Sequence, residues 1–287
     1  MVDAIVFAHS GRAEYLRGVL TQAKKSNPMT RVALLGDRAN RDLAGPAEFF
    51  LLSQYQNDLD RLRACYVHKS SNTFEFEFSA IARWLAVTNF CRVEGFDRIF
   101  NADTDVLIYS DLSKVASDLP LLPIAAYANG SGHASYWSID ALESLRDLIF
   151  KTYEDRDGVE FEEISGVYES CAGIAGGISD MYIIQMLCRS LPWFDLTSVT
   201  NGATFDLNFN FPNNGQTNFM MYGGEKAITW KNGLPFGHAE DGEIRMHTLH
   251  MQGGAKRSID RILGNRPSWG WKPLATLFRR LATHTTI

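Results

Sequence analysis

The chain has 287 residues, 45% of them hydrophobic and 21% charged, with a formal net charge of −5. This length can bury one large core or two smaller ones, and the composition is that of an ordinary globular protein. No apolar run is long enough for a transmembrane helix, and an N-terminus with Asp3 and no basic stretch is interpreted as the first strand instead of a signal peptide.

Short apolar strands and an amphipathic helix alternate at the start of the chain. Residues 4–9 and 31–36 are predicted strands, and residues 47–55 are predicted as a third. The segment between the first two has helical spacing and is stopped by Asn27 and Pro28. This succession predicts a parallel sheet with right-handed crossovers.

A longer helix is predicted at residues 77–94, with Arg83 off its apolar face. The predicted inner stripe of this helix is Ile81, Trp84, Leu85, Thr88 and Cys91. The next segment, 95–112, is predicted to be a central strand.

The second half of the chain has a looser pattern. It begins with a predicted strand at 123–127 and a predicted helix at 138–156, and a glycine-rich stretch at 170–180 leads into another helix. Polar loops and short antiparallel strands are predicted at 197–225, followed by late strands in "KAITW" and "RMHTLHMQ". We therefore predict an α/β fold with a Rossmann-like, mainly parallel sheet flanked by helices and a mixed C-terminal half, in one domain over residues 1–260.

Residues 261–287 are predicted to form a basic helical tail. From Lys256 onward seven basic residues face one acid, so that this end carries +6 and the rest −11. Such an asymmetry suggests an anionic partner, and nucleic acid is not among those we expect. Two interpretations stay open: an interfacial helix that touches anionic lipid, or a helix packed on the domain with a solvated basic face.

The four cysteines match neither a zinc site nor a dense disulfide framework. We expect reduced, mostly buried thiols and a cytoplasmic location, with the inner face of a membrane as a variant if the tail binds lipid.

Two carboxylates, Asp103 and Asp105, interrupt the apolar segment "GFDRIFNADTDVLIYSDL". Residues two apart share one face of a strand, and close carboxylates repel each other unless a cation lies between them. A hard divalent cation, Mn²⁺ or Mg²⁺, is the economical explanation. Alternatively, one aspartate caps a turn and the other is exposed, or Asp103 is the nucleophile of a phosphatase.

A second motif lies far downstream in "LHMQGGAKRS", where His250, Gly253 and Lys256 are each three residues apart. An imidazole can complete the coordination of a metal, a glycine allows a close approach of the backbone to phosphate, and an ammonium can pair with a diphosphate. Together with Asp103 and Asp105, these residues suggest one site.

The two stretches "FNADTDVLIYSDL" and "HMQGGAK" resemble metal-dependent glycosyltransferases of the GT-A fold, most closely glycosyltransferase family 8 and related retaining enzymes. The resemblance implies a GT-A fold over most of residues 1–260. It also implies that Asp103, Asp105 and His250 bind Mn²⁺ (or Mg²⁺). The donor-binding residues that it implies are Arg83, Asp103, Gly253 and Lys256.

The implied reaction moves a sugar from a nucleotide diphosphosugar, most simply a UDP-sugar, to a hydroxyl of a glycan or glycolipid with retention of configuration. Two segments depart from the family: Arg257-Ser258 follow the lysine where Pro-Trp is usual, and the segment after the first strand, His9 to Arg12, lacks the family's acid. A non-catalytic sugar-nucleotide-binding module is a further alternative.

Further candidates come from the second half of the chain. Asp180 follows the glycine-rich stretch and is a candidate catalytic carboxylate near the anomeric carbon, or a plain helix N-cap. Asp206 is a candidate for binding acceptor hydroxyls. The aromatic side chains that could stack on a sugar, or pack in the core, are Trp137, Phe205 and Trp230.

Overall fold

The computed structural model describes residues 1–170 and 177–264. The predicted tail beyond residue 264, Cys171 and most of the glycine-rich stretch before Asp180 lie outside the described residues. The other cysteines, Cys65, Cys91 and Cys188, are free thiols.

Helices and strands alternate along the described chain. The α-helices are α1 (Leu16–Ser26), α2 (Leu59–Cys65), α3 (Phe74–Glu94), α4 (Leu112–Asp118), α5 (Ile139–Glu154), α6 (Val159–Ser170), α7 (Asp180–Ser190) and α8 (Ile259–Leu263). Short 3₁₀ helices cover Arg38–Leu43, Leu52–Tyr55 and Gly253–Ser258. The longer strands are β1 (Ala4–His9), β2 (Arg31–Gly36), β3 (Glu48–Leu51), β4 (Arg98–Ala102), β5 (Val106–Ile108), β6 (Ile124–Ala126), β7 (Ala134–Ser138) and β8 (Trp193–Asp195). The later strands are β9 (Ala203–Thr204), β10 (Asn213–Asn214), β11 (Thr217–Asn218), β12 (Met221–Tyr222), β13 (Glu225–Lys226), β14 (Ile228–Lys231), β15 (Leu234–Ala239), β16 (Gly242–Met246) and β17 (Thr248–His250).

The central sheet has seven strands in the order β3-β2-β1-β4-β7-β6-β8. Strand β7 runs antiparallel to both of its neighbours, and the other neighbouring pairs are parallel. The prediction of a mainly parallel sheet flanked by helices is confirmed. Strand β4, which leads into Asp103, has the middle position in this sheet.

Apolar side chains cover both faces of the central sheet. Along β1, Ala4 and Val6 belong to one core, and Ile5 and Phe7 to the other. This alternation is the two-residue period of a strand. Helices α3, α5 and α7 contribute to the first core and α1 to the second, so both faces are buried as a parallel sheet requires.

Helix α3 begins three residues earlier than predicted. The side chain of Thr73 accepts a hydrogen bond from the backbone N–H of Phe76 and caps the helix, and Gly95 ends it with φ of +68°. The predicted inner stripe is confirmed, because all five of its residues are buried.

The segment 95–112 is not one continuous strand, so this part of the prediction is wrong. Strand β4 ends at Ala102, and a turn closes where the Val106 N–H donates to the Asp103 carbonyl at 3.0 Å. Strand β5 then pairs with β17, outside the central sheet. The two aspartates therefore lie in a tight turn and do not share the face of a strand.

The C-terminal end of the described chain packs against α1. Ile259 and Ile262 of α8 are buried in the same core as Leu16 and Val19. The predicted domain boundary at residue 260 falls inside this helix. Among the described residues, no helix combines the length and the apolar character that crossing a membrane requires.

A buried histidine predicts acid sensitivity of the fold. His247 bonds through Nδ1 to the Ser110 hydroxyl at 2.8 Å, and burial, with a smaller effect of Arg245, lowers the pKa of His247 to about 3. In the unfolded chain the pKa of this histidine is about 6.5, so the unfolded state binds the extra proton first as the pH falls. At pH 5 this histidine alone should cost about 2 kcal/mol of stability relative to neutral pH.

The variant His247→Asn keeps a short polar group for Ser110 but does not titrate. Urea unfolding of both proteins at pH 7.5 and pH 5.0 measures the effect, and other acid-sensitive groups cancel in the comparison. Between these pH values we expect the free energy of unfolding to fall by about 2 kcal/mol less in the variant than in the wild type. Equal losses would show that His247 does not titrate in this way.

Candidate functional site

The two motifs that are far apart in sequence meet at the end of the central strand. In the β5–β17 pair, Val106 lies opposite His250, and the Met251 N–H donates to the Asp105 carbonyl at 2.8 Å. The first motif follows β4 at its carboxyl end, which is where ligands bind in sheets of this kind. The backbone therefore joins both motifs at one edge of the sheet.

Asp105 lies between an imidazole and an ammonium group. The Lys256 Nζ is 3.1 Å from one carboxylate oxygen, and the His250 Nε2 is 3.7 Å from the other. The His250 Nδ1 bonds to the Leu207 carbonyl at 2.8 Å. Because a carbonyl can only accept, Nδ1 carries the proton, and the lone pair of Nε2 faces Asp105 in the neutral ring.

The pKa of Lys256 follows from the same geometry. Burial disfavours the charged ammonium, but the nearby Asp105 outweighs it and raises the pKa of Lys256. Lys256 is in the 3₁₀ helix that begins at Gly253, whose φ of +58° is in the region that favours glycine.

Asp103 points in a different direction, toward helix α3. Arg83 donates to Asp103 at 2.6 Å through Nη1 and to Asp180 at 2.9 Å through Nη2. Burial, together with the charge of Asp105, raises the pKa of Asp103, although Arg83 opposes this shift. The guanidinium thus bridges the carboxyl end of β4 and the start of α7.

Asp180 is held by three donors. Its carboxylate accepts from Arg83, from the Trp84 indole N–H at 2.8 Å and from the Met181 backbone N–H at 3.0 Å. The N-cap of α7 is Ser179, so the alternative that Asp180 is the cap is wrong. Asp180 is the first helical residue, and its carboxylate is bound to Arg83 and Trp84 of α3.

The side chains gathered here can be compared with the ligands that Mn²⁺ or Mg²⁺ requires. The Asp105 oxygen and the His250 Nε2 lie 3.7 Å apart, which is wider than the roughly 3.0 Å between neighbouring ligands of an octahedral ion with bonds of about 2.1 Å, so these two groups would have to approach each other to bind one ion. Among residues 1–170 and 177–264, no three carboxylate, imidazole or thiol side chains are gathered into a cluster that could hold an ion. Asp103 pairs with Arg83 instead. A carboxylate and a neutral imidazole, as in Asp105 and His250, are groups that bind divalent ions, and Asp103 lies in the same turn with 28% of its side chain exposed.

The first two strands add residues that the sequence did not single out. The His9 Nδ1 lies 2.9 Å from the Thr104 hydroxyl, between the two aspartates in sequence. Burial lowers the pKa of His9, partly offset by Asp37. The Gly11 N–H donates to the Asp37 carboxylate at 2.7 Å. The segment after β1 lacks an acid, but Asp37, at the end of the neighbouring strand β2, places one beside it.

Sequence patterns could have found Asp37, because a carboxylate directly after an apolar strand, as in "RVALLGD", lies at the ligand-binding edge of a parallel sheet.

The structure contradicts the acceptor role expected for Asp206. Its side chain is 0% exposed, as is that of Lys226, and the Lys226 Nζ bonds to it at 2.5 Å. The second oxygen of Asp206 accepts from the His250 N–H at 2.9 Å. A carboxylate with no exposed surface cannot reach acceptor hydroxyls, so Asp206 belongs to the support of the site.

Aromatic residues predicted as alternatives for stacking or packing are mostly in the core. Trp137 and Phe205 are buried, Trp137 against Trp84 and Phe205 against Phe100. Trp230 is half-buried and lies edge-on to Tyr109 at 5.3 Å. Core packing explains the first two.

No protein-family model and no curated protein matches the chain. Among solved structures it is similar to mouse xyloside xylosyltransferase 1 in its apo form, with 11% identity over 68% of this chain and 85% of that one, and a TM-score of 0.46. It is also similar to the galactosyltransferase LgtC in complex with donor and acceptor sugar analogues, with 16% identity over 64% and 70% of the two chains, and a TM-score of 0.36.

A cytidylyltransferase from Leptospira borgpetersenii is similar as well, with 12% identity over 56% of this chain and 71% of that one, and a TM-score of 0.34. Likenesses of this size assign neither a family nor a substrate to the chain. The functional conclusion therefore depends on the geometry of the site.

Proposed function

We propose that this protein is a metal-dependent glycosyltransferase that moves a sugar from a nucleotide diphosphosugar to a hydroxyl of a glycan or glycolipid. One observation carries the proposal: at the carboxyl end of the central strand, Asp105 faces the Nε2 of His250 and the ammonium of Lys256. This arrangement combines a cation-binding pair with a fixed positive charge, which suits a diphosphate.

In this proposal Asp105 and His250 would hold the divalent cation, Mn²⁺ or Mg²⁺, and Asp103 would be the third ligand after turning away from Arg83. When bound, such an ion acts as a Lewis acid on phosphate oxygens. Lys256 leaves Asp105 and pairs with the diphosphate. The positive φ of Gly253 lets the backbone at this glycine come close to the diphosphate as well. A UDP-sugar remains the simplest donor, with Asp37 and His9 on the nucleoside side.

The reaction breaks the bond between the anomeric carbon and the diphosphate oxygen and forms a bond from that carbon to the acceptor oxygen, whose proton is released. Negative charge develops on the leaving diphosphate, and Lys256 stabilises it. Arg83 contacts the donor from the side of α3. We propose that Asp180 lies on the sugar side and acts by orienting Arg83, because its oxygens are already bound by three donors. Retention of configuration is part of the proposal.

The test is release of nucleoside diphosphate from a panel of nucleotide sugars, with Mn²⁺, with Mg²⁺ and with EDTA, in the presence and absence of simple sugar acceptors. We expect release from at least one donor, dependent on the metal. An aryl phosphate in the same assay checks the alternative: phosphate release that is lost in Asp103→Asn would favour a phosphatase.

A parallel thermal-shift measurement separates the binding module from the enzyme. A ligand at a hundred to a thousand times its dissociation constant should stabilise the fold by about 3–4 kcal/mol. Stabilisation by sugar nucleotides without release of nucleoside diphosphate would favour a module that binds but does not catalyse. No response in either assay would contradict the proposed function.

A further inference from the structure

A buried pair of opposite charges lies behind the site. The side chains of Asp206 and Lys226 are both 0% exposed, and their bond measures 2.5 Å. Removing two charges from water costs several kcal/mol per ion, and their attraction recovers this only when the geometry is good and the remaining polar atoms are bonded. A pair of well-packed apolar residues could fill the same space at no loss of stability. Stability alone therefore does not explain why a buried ion pair occupies this place behind the site.

The remaining polar atoms of the pair are bonded to groups that hold the site. The Asp206 oxygen that Lys226 leaves free accepts the backbone N–H of His250 at 2.9 Å. The next residue, Leu207, accepts the Nδ1 proton of the same histidine at 2.8 Å. One short segment thus binds His250 through both its backbone and its ring.

A neighbouring ring, that of His133, packs on the face of the His250 ring and is itself bonded to Asp206. The Asp206 carbonyl accepts from the His133 Nε2 at 3.1 Å, and the His133 ring stacks on that of His250 with centroids 3.7 Å apart and an angle of 15°. The His133 carbonyl in turn accepts the Asp103 N–H at 2.7 Å. Burial lowers the pKa of His133 well below its ordinary value, so this ring stays neutral beneath the imidazole.

Lys226 anchors the segment to the rest of the protein. Its ammonium also bonds to the Asn214 side-chain oxygen at 3.2 Å, and that oxygen accepts the Leu207 N–H at 2.7 Å. The ammonium thus bonds to both side chains that hold this segment, Asp206 and Asn214.

We propose that the buried Asp206 side chain, through the oxygen that accepts the His250 N–H, is a positioning element, which fixes the Nδ1-protonated tautomer and the orientation of His250 and thereby sets the affinity of the site for a divalent cation. The effect on the metal rests on the proposed function, whereas the effect on the tautomer does not. Support of this kind behind a metal-binding histidine typically changes metal affinity roughly 10- to 100-fold.

Two double variants separate positioning from stability. Asp206→Asn with Lys226→Met removes both charges but keeps a side-chain oxygen for the His250 N–H. Asp206→Leu with Lys226→Met removes both charges and that oxygen. Neither leaves a buried unpaired charge, so both avoid the main cause of unfolding. We expect the first to bind Mn²⁺ like the wild type, and the second roughly 10- to 100-fold more weakly, measured by electron paramagnetic resonance of free Mn²⁺.

The control is Asp58→Asn, which breaks another partly buried pair, with Arg146, that has no contact with the site residues. It should lower stability and leave Mn²⁺ affinity unchanged. Equal affinity of the two double variants, or affinity that follows stability across all variants, would overturn the inference while the proposed function stands. Absence of Mn²⁺ binding by the wild type would overturn the metal part of both.

The second readout is the ¹⁵N chemical shift of the His250 ring nitrogens, which reports the tautomer without any metal. The wild type and the Asn-Met variant should show the Nδ1–H form, and the Leu-Met variant a mixture with Nε2–H. An Nε2–H ring in the wild type would overturn the inference irrespective of what the protein catalyses.

Discussion

Replacing Asp105 by asparagine is expected to lower metal-dependent turnover by at least about a hundredfold, since a metal of this kind supplies several kcal/mol of transition-state stabilisation. Asp105 is contacted by both His250 and Lys256, so the loss of its charge affects the cation and the ammonium together. The amide keeps nearly the same volume, and the fold should survive. Initial rates of nucleoside diphosphate release, together with urea unfolding, measure both quantities.

The matched control is Asp111→Asn, in the same stretch of chain. Asp111 caps α4 by accepting the N–H groups of Ser113 and Lys114, and asparagine caps about as well. This variant should keep the activity and the stability of the wild type. Wild-type turnover by Asp105→Asn, with the same metal dependence, would rule out the proposed role of this carboxylate.

Replacing Arg83 by methionine is expected to cost about 3 kcal/mol of stability and to weaken donor binding at the same time. The change leaves Asp103 and Asp180 without the cation that bridges them, and the Asp180 side chain is only 9% exposed. Arg83→Lys keeps the charge but not the planar fork that reaches both carboxylates. It should therefore retain most of the stability and still bind the donor less tightly.

Urea unfolding and the dissociation constant for nucleoside diphosphate test this pair of variants. Arg92→Met on the same helix is the control, because the Arg92–Glu143 pair is exposed and should contribute less than about 1 kcal/mol. Equal free energies of unfolding for Arg83→Met and Arg92→Met would show that the bridge from Arg83 to Asp103 and Asp180 does not stabilise the fold.

The sequence predicted the sheet and the main helices because periodicity and caps are local signals. The stripe of α3 from Ile81 to Cys91 follows from helical spacing alone, and Ser138 caps α5 where the pattern begins. The proximity of the two motifs could also be predicted, from the side chains that a divalent cation and a diphosphate require as partners.

The details of the site depend on contacts that no local pattern records. The turn at Asp103–Asp105 exists because β5 leaves the central sheet to pair with β17, which lies far away in sequence. The stretch "TFDLNFN" predicts that Asp206 binds acceptor hydroxyls. The burial of Asp206 depends on Lys226, which lies in the two-stranded β12–β13 sheet. Asp206 and Lys226 are twenty residues apart, and the chain between them follows no helical or strand repeat, so the sequence gives no sign that the two side chains meet.

The most direct test of the central claim is calorimetric titration of the wild type with UDP, GDP and ADP, with Mn²⁺ and with EDTA. If Asp105, His250 and Lys256 form a metal-assisted diphosphate site, at least one nucleotide should bind at least about tenfold more tightly with Mn²⁺, and by reciprocity should tighten Mn²⁺ binding by the same factor. Asp105→Asn should abolish this coupling. Equal affinities with and without the metal for every nucleotide would contradict the account.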